Sequence, residues 1–330
     1  MLSSQIQVTP QSLVGQQHYG QHSFPLVLVC QDPALDLAVA IAWIERQRLE
    51  LLHEADVCGA VLFRGFPLAT ADDFDRFVAA FALPNFPYNE SLSNAVRVNR
   101  TPRVFTANEA PPTINIFLHH EMAQTPNYPS RLFFFCEQPA ESGGSTPLCR
   151  SDIVWQRLVE AEPDFARDCE TKGLRYSNVM PAENDSTSGM GRSWQSTLRA
   201  NGRAEAQTRL AALGYSWQWL EDGSLRATTP TLPAVREVGS GRKTFFNQLI
   251  AAYQGWKDQR NDPSKAITFG DGSPLDREAV ESVIEIAEEL CFEIPWQRGD
   301  VTLVNNYLVM HGRRHFVGTR KVLASLVAQD

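Results

Sequence analysis

Cysteine is sparse and without pattern: six residues lie scattered from Cys30 to Cys291, with no CxxC pair and no tight framework. That excludes a disulfide-stapled scaffold, and the thiols are expected to be reduced and mostly buried. Positive charge is also short. Lys and Arg number 30 against 38 Asp and Glu, giving a net charge of -8; with no basic run, the footprint of a nucleic-acid binder is missing. Long apolar runs are absent too: "FPLVLVC" is far too short to span a bilayer. The opening "MLSSQIQVTPQSLVGQQHYG" has neither a basic n-region nor an apolar h-region, so no signal peptide is expected. Nothing repeats at a fixed period and nothing is of low complexity, which argues against solenoids. What is present is 330 residues, 43% of them hydrophobic, enough to bury a substantial core. The expectation is a soluble cytoplasmic globular protein with no nucleic-acid or membrane partner.

Apolar spacing predicts a helix over residues 36–55, and "GAVLFRGF" from Gly59 predicts a buried strand ending in a turn. "TADDFDRFVAAFA" reads as a helix with Thr70 as its N-cap. "RLFFFCEQ" is a strand by its aromatic content, followed by the break "PAESGGSTP". Residues 151–161, 203–213 and 275–291 read as helices, and "SWQWLEDGSLRATTP" as a hairpin around Asp-Gly. The end, "GDVTLVNNYLVMHGRRHFVGTRKVLASLVAQ", reads as two β-rich runs joined by a polar loop. Strands at both ends with helices between them predict one sheet built from distant segments. The chain is therefore expected to be one domain over 1–330, with an N-terminal extension and helix over 1–58 and an insertion over 151–292. Within that insertion, the polar, glycine-bearing residues 176–200 are expected to form part of a mobile lid, against the alternative of ordered packing with no gating role.

Histidine is scarce as well, only seven in the chain, yet "FLHHEM" sets His119 and His120 beside Glu121. In an extended segment residues i and i+2 share a face, so His119 and Glu121 point together and His120 points away. An imidazole and a carboxylate on one face are two thirds of the triad that holds non-haem Fe(II) and leaves open positions for chemistry. His311, near the end of a β-rich run, is the best third ligand. A lone HxE is a weak signal and is also what an ordinary polar turn looks like, so both readings stand at this point. The zinc-protease motif fails, because Gln124 stands where HExxH needs its second histidine. His120 and His315 are read as neighbours of the site or surface residues, and His18, His22 and His53 are given no role.

The motifs "FLHHEM", "RLFFFC", "PAESGGSTPL" and "GDVTLVNNYLVMHGRRHFVGTRKVL", in that order, resemble the taurine dioxygenase-like family of Fe(II)/2-oxoglutarate oxygenases. "GAVLFRGF", "RVFTANEAPP" and "FFNQL" match it as well, so the resemblance runs from about Gly59 to the C-terminus. Within the family the similarity is greatest to aspartyl hydroxylases of non-ribosomal peptide pathways. The resemblance implies a mainly β fold with flanking helices: a double-stranded β-helix, or jelly roll, carrying a large helical and loop insertion. It implies His119, Glu121 and His311 as ligands of Fe(II). It also implies Thr146 as a hydroxyl bonding 2-oxoglutarate and Arg320 as the guanidinium clamping its far carboxylate, with Lys321 beside it as the competitor. Arg64, Asn247 and Arg313 are candidates for holding substrate, against the alternatives of ion pairs and a strand-end hydrogen bond. The implied reaction uses 2-oxoglutarate and O2, releases succinate and CO2, and hydroxylates an aliphatic C–H. Its substrate would be an amino acid or amino-acid-derived small molecule, free or tethered to a carrier protein. Retention of Glu121 disfavours the halogenase variant, which has a small residue there. A zinc-dependent hydrolase with the same three ligands and a non-catalytic module of the same fold are the alternatives.

Overall fold

Residues Arg131–Gln138 form a strand whose side chains alternate between two apolar layers. Phe133 and Phe135 enter one cluster of buried residues, while Leu132, Phe134 and Cys136 enter another. A strand buried on both faces reads as a continuous apolar run, which is why "RLFFFC" shows no polar alternation. The computed structural model describes residues 6–32, 35–88, 91–93, 95–239 and 241–327. In it this strand is central to a seven-stranded sheet, between Val301–Asn305 and Lys321–Val327. Ala60–Arg64 and Leu26–Cys30 continue the sheet on one side. Those two strands are parallel, and helix Leu37–Cys58 makes the crossover that a parallel pair requires.

That helix and helix Ala71–Ala79 cover the outer face of the sheet. Ile44, Leu51 and Ala55 from one, and Phe74 and Phe77 from the other, pack on Val61, Phe63, Phe133 and Phe135. The second helix starts as the sequence predicts: Thr70 and Asp73 cap each other reciprocally. Against the inner face lies a four-stranded sheet of Cys291–Ile294, Thr146–Arg150, Val309–Arg313 and Ile116–His119. Leu148, Phe292, Ile294 and Val309 meet Leu62, Leu132 and Phe134 between the layers. Two facing sheets of this kind make the expected double-stranded β-helix.

Helices Ser151–Ala161, Arg203–Ala212 and Arg277–Glu289 and the hairpin of Ser216–Trp219 with Leu225–Thr228 fall where the sequence places them. Two expectations change. The C-terminal stretch is three main strands rather than two β-rich runs, because the turn at Asn306 sends the chain from the larger sheet to the smaller one, and Lys321–Val327 returns it. Residues 176–200 are not one continuous loop. Leu174–Met180 is a strand of a separate four-stranded sheet, and Trp194–Leu198 is a helix capped by Ser193. The polar residues between them bond inward: Asn184 accepts from the Ser193 backbone N–H at 2.8 Å, and Arg260 reaches Asp185 at 2.9 Å. This stretch is a wall of the cavity described below.

Candidate active site

His119 is the last residue of its strand, and in the antiparallel register it faces His311 directly. The two rings lie 4.4 Å apart, centroid to centroid. The chain then turns, with Met122 at φ 61°, and Glu121 swings in beside them. Glu121 Oε2 is 3.5 Å from His311 Nε2, and one ligand atom from each of the three residues falls within 4.8 Å of the others. Ligands about 2.1 Å from a shared ion sit at comparable separations. His119 Nδ1 lies 2.7 Å from the Phe117 carbonyl. A carbonyl only accepts, so Nδ1 carries the proton and Nε2 keeps its lone pair for a metal. Burial, with His311 alongside, pushes the His119 imidazole down to about 4, which keeps it neutral as a ligand must be. Burial alone would raise the Glu121 carboxyl, but Arg97 and the two imidazoles hold it well below the usual carboxylate range. Two imidazoles and one carboxylate on one side of a cavity fit a divalent transition metal.

Asn306 holds the turn that carries Glu121. Its Oδ1 accepts from the Glu121 backbone N–H at 2.8 Å, while its Nδ2 donates to the carbonyls of Glu121 at 3.1 Å and Pro129 at 2.7 Å. His120 points away from the triad, as extended geometry requires, but it is fully buried and not a surface residue. Its Nδ1 meets the Asn306 carbonyl and its ring packs on Phe246 at 4.7 Å. Arg97 is a neighbour that sequence reasoning did not single out: its Nη2 is 3.1 Å from each Glu121 oxygen. Nothing local marks either residue, since the contacts close over 24 and 185 positions of sequence.

Thr146 and Arg320 come together as a second polar group. Arg320 donates from Nε to the Gly144 carbonyl at 2.7 Å and from Nη2 to Thr146 Oγ1 at 3.2 Å. Trp296, also unforeseen, donates its indole N–H to the same oxygen at 3.0 Å. Lys321, the competitor, is exposed. Burial, with Arg313 nearby, lowers the Arg320 guanidinium to about 10, so it stays charged at neutral pH. Gly144 has φ +70°, and a Cβ there would meet Arg320 Cδ at 3.0 Å; this glycine lets the guanidinium lie against the backbone. His119, Glu121, His311, Thr146 and Arg320 all line one cavity of about 480 Å³, within the range of small-molecule sites.

The three substrate candidates do not join them as expected. Arg64 makes a buried bidentate pair with Asp300, at 3.0 and 2.7 Å, and lies outside the lining. Asn247 is buried and spends its side chain on the Ala234 carbonyl and the Leu249 N–H; it fixes the loop ahead of helix Leu249–Gly255 rather than ending a strand. Arg313 does line the cavity, but its guanidinium donates to the carbonyls of Asn108, Ala110, Pro111 and Ile114, so it shapes the wall. One other group among the described residues brings metal-binding types together, His22, Glu54 and Cys58. There Cys58 donates to Glu54, and burial pushes its thiol up to about 11; a thiol held protonated is a poor ligand.

Comparison with known proteins identifies the family. The profile of the family described as taurine catabolism dioxygenase TauD, TfdA family matches residues 23–326. The chain is 43% identical over 320 residues to a clavaminate synthase-like protein of Arabidopsis thaliana, covering 94% of this chain and 96% of that one. It is 27% identical over 290 residues to the dapdiamide synthesis protein DdaC of Enterobacter agglomerans, covering 84% of each. Among solved structures, PvcB from Pseudomonas aeruginosa superposes with a TM-score of 0.56 at 14% identity, over 100% of this chain and 94% of that one.

Proposed function

The chain belongs to the TauD/TfdA family of Fe(II)- and 2-oxoglutarate-dependent dioxygenases, and from that premise we propose that it hydroxylates an aliphatic C–H of an amino acid or amino-acid-derived small molecule, free or tethered to a carrier protein. The zinc-hydrolase alternative is set aside by that membership. The observation that carries the assignment of residues is the shared cavity: the His119, Glu121 and His311 triad opens into the same space as Arg320 and Thr146.

Fe(II), 2-oxoglutarate and O2 supply the oxidation, with succinate and CO2 as coproducts. The chain supplies position. His119 offers an imidazole held neutral by burial, His311 a second imidazole directly across the register, and Glu121 a carboxylate already ionised by its surroundings. Arg320 offers a planar fork for the far carboxylate of 2-oxoglutarate, through two parallel charge-assisted hydrogen bonds. Thr146 is prepared for the same anion. A hydroxyl oxygen has two lone pairs and one proton; Trp296 and Arg320 donate to the oxygen, so the proton is directed outward as a donor. Asn306 fixes the backbone of Glu121 against rotation. Phe134, its ring 5.1 Å from that of His311, gives the site an apolar floor that excludes water.

An amino-acid substrate is supported by the family motifs quoted above and by relatedness to a protein named for dapdiamide synthesis. The test is succinate release by the Fe(II)-loaded enzyme with 2-oxoglutarate and O2, over a panel of free amino acids, aminoacyl carrier proteins, sulfonates and aryloxy acids. The expected result is release coupled to one amino-acid probe, with a product heavier by one oxygen. Coupling only to a sulfonate or aryloxy acid would overturn the substrate class, and product lighter by two hydrogens would overturn hydroxylation.

A further inference from the structure

We infer that Arg97 receives a carboxylate of the substrate, so that the enzyme acts on a carboxylate-bearing molecule held beside the metal ligand Glu121. The inference rests on the function proposed above and names the charge that its substrate must carry.

Four arginines line the cavity, and three are committed elsewhere. Arg320 sits with Thr146 at the proposed 2-oxoglutarate end. Arg313 serves four backbone carbonyls. Arg260 pairs with Asp185 and Asp258, at 2.9 and 2.7 Å. Arg97 differs. Its side chain is 7% exposed, and its guanidinium is wedged over the rings of Tyr88 at 4.7 Å and Phe105 at 5.3 Å. Among the described residues, its ion-pair partner is Glu121, through a single nitrogen.

Glu121 cannot serve two cations equally. A ligand carboxylate directs its charge at the metal, and Arg97 is then left buried with its only anion shared, a costly arrangement unless a second anion arrives. Counting charges at this end of the cavity gives the sign of what is missing. With Glu121 and the keto-acid carboxylate of 2-oxoglutarate offsetting a divalent metal, and the far carboxylate offsetting Arg320, the charge left uncompensated beside the triad is that of Arg97, and a single carboxylate neutralises it. The aromatic faces fix the guanidinium plane, so its remaining edge is preorganised for the planar, two-point contact that a carboxylate makes. A carboxylate seated there places the carbons next to it beside the triad, where the C–H to be oxidised must lie.

The experiment is binding calorimetry on the full chain, anaerobic and loaded with Mn(II) and 2-oxoglutarate. The probes are the twenty amino acids, their C-terminal amides and the pantetheine thioester of L-aspartate. Every binder should retain a carboxylate, and the best one should lose about 30-fold or more in affinity when that carboxylate is amidated. Arg97→Gln should cause a similar loss and Arg97→Lys a smaller one. Mn(II) affinity should hold or rise, because Arg97 competes with the metal for Glu121, whereas loss of a residue that only orients Glu121 would lower it about 10- to 100-fold. The wild-type comparison of acid with amide needs no variant, so a poorly folding Arg97→Gln does not blunt the test. Binding that survives amidation of every carboxylate the probe carries (asparagine amide in place of aspartate, for example), or no binding by any carboxylate probe, overturns the inference while the proposed function stands, provided 2-oxoglutarate itself binds. A loss confined to Mn(II) affinity assigns Arg97 to positioning and overturns it too. Failure of 2-oxoglutarate to bind overturns both.

Discussion

Thr146 illustrates how much of this site lies in the preparation of single side chains. Its residue type and place in "GGSTP" were readable, but the indole of Trp296 that turns its proton outward reaches it across 150 positions of sequence. Thr146→Val removes the donor and strands two others, so the KM for 2-oxoglutarate should rise about tenfold, with metal affinity unchanged in a direct titration. Arginines were the hardest residues to read. Arg64, Arg313 and Arg97 look alike in sequence, and only their partners separate them: a buried aspartate, four carbonyls, and the proposed metal ligand Glu121. Arg64→Met should therefore lower unfolding stability by about 3 kcal/mol, because it leaves Asp300 buried without its partner, and should leave both substrate KM values within twofold, as steady-state kinetics would show. The thiols follow from burial. Cys58 is pushed up to about 11 and Cys136 to about 12, each mainly by desolvation. Thiolate appears only as pH rises through those values, so iodoacetamide at pH 8 should leave both unlabelled by mass spectrometry in the native protein, and label both once it is unfolded.

At the scale of elements, local signals were sufficient wherever the element closes on itself. The Thr70 capping box, the Asp-Gly hairpin and the helix at Ser151–Ala161 are set by neighbours within a few residues. Turns that join distant elements were not legible in the same way. The "NN" of "LVNNYL" reads as a polar interruption, yet Asn306 bolts the Glu121 turn to the crossing between the two sheets. Asn306→Ala should weaken metal binding about 10- to 100-fold, read by titration with Mn(II), and leave 2-oxoglutarate affinity at saturating metal nearly unchanged. Polar composition could not separate the two readings of residues 176–200, because side chains that bond to each other within a folded wall have the same composition as a solvated lid.

For the whole molecule, the jelly roll follows from a strand that must be covered twice. Phe135 is fully buried, stacked 5.2 Å from Phe74 on the helical side, while Phe134 faces the triad from the other side. Phe135→Ala should cost about 3–5 kcal/mol, seen as a lower denaturation midpoint, without altering cofactor affinity in the folded fraction. The order of sheets and helices was legible from the sequence as a family pattern. Periodicity alone allowed it without demanding it, since apolar runs of five to eight residues do not say which sheet they join. The fold brings residues far apart in the chain, the His119–Glu121 turn, Thr146, His311 and Arg320, to one cavity. The most direct test of that claim is an anaerobic titration of the metal-free protein with Fe(II) and then 2-oxoglutarate, following the visible charge-transfer band of the chelate. The account predicts a band in the wild type, none in His311→Ala, and a band in Arg320→Ala only at much higher 2-oxoglutarate. A well-folded wild type that gives no band, or a His311→Ala variant that keeps it, would contradict the account.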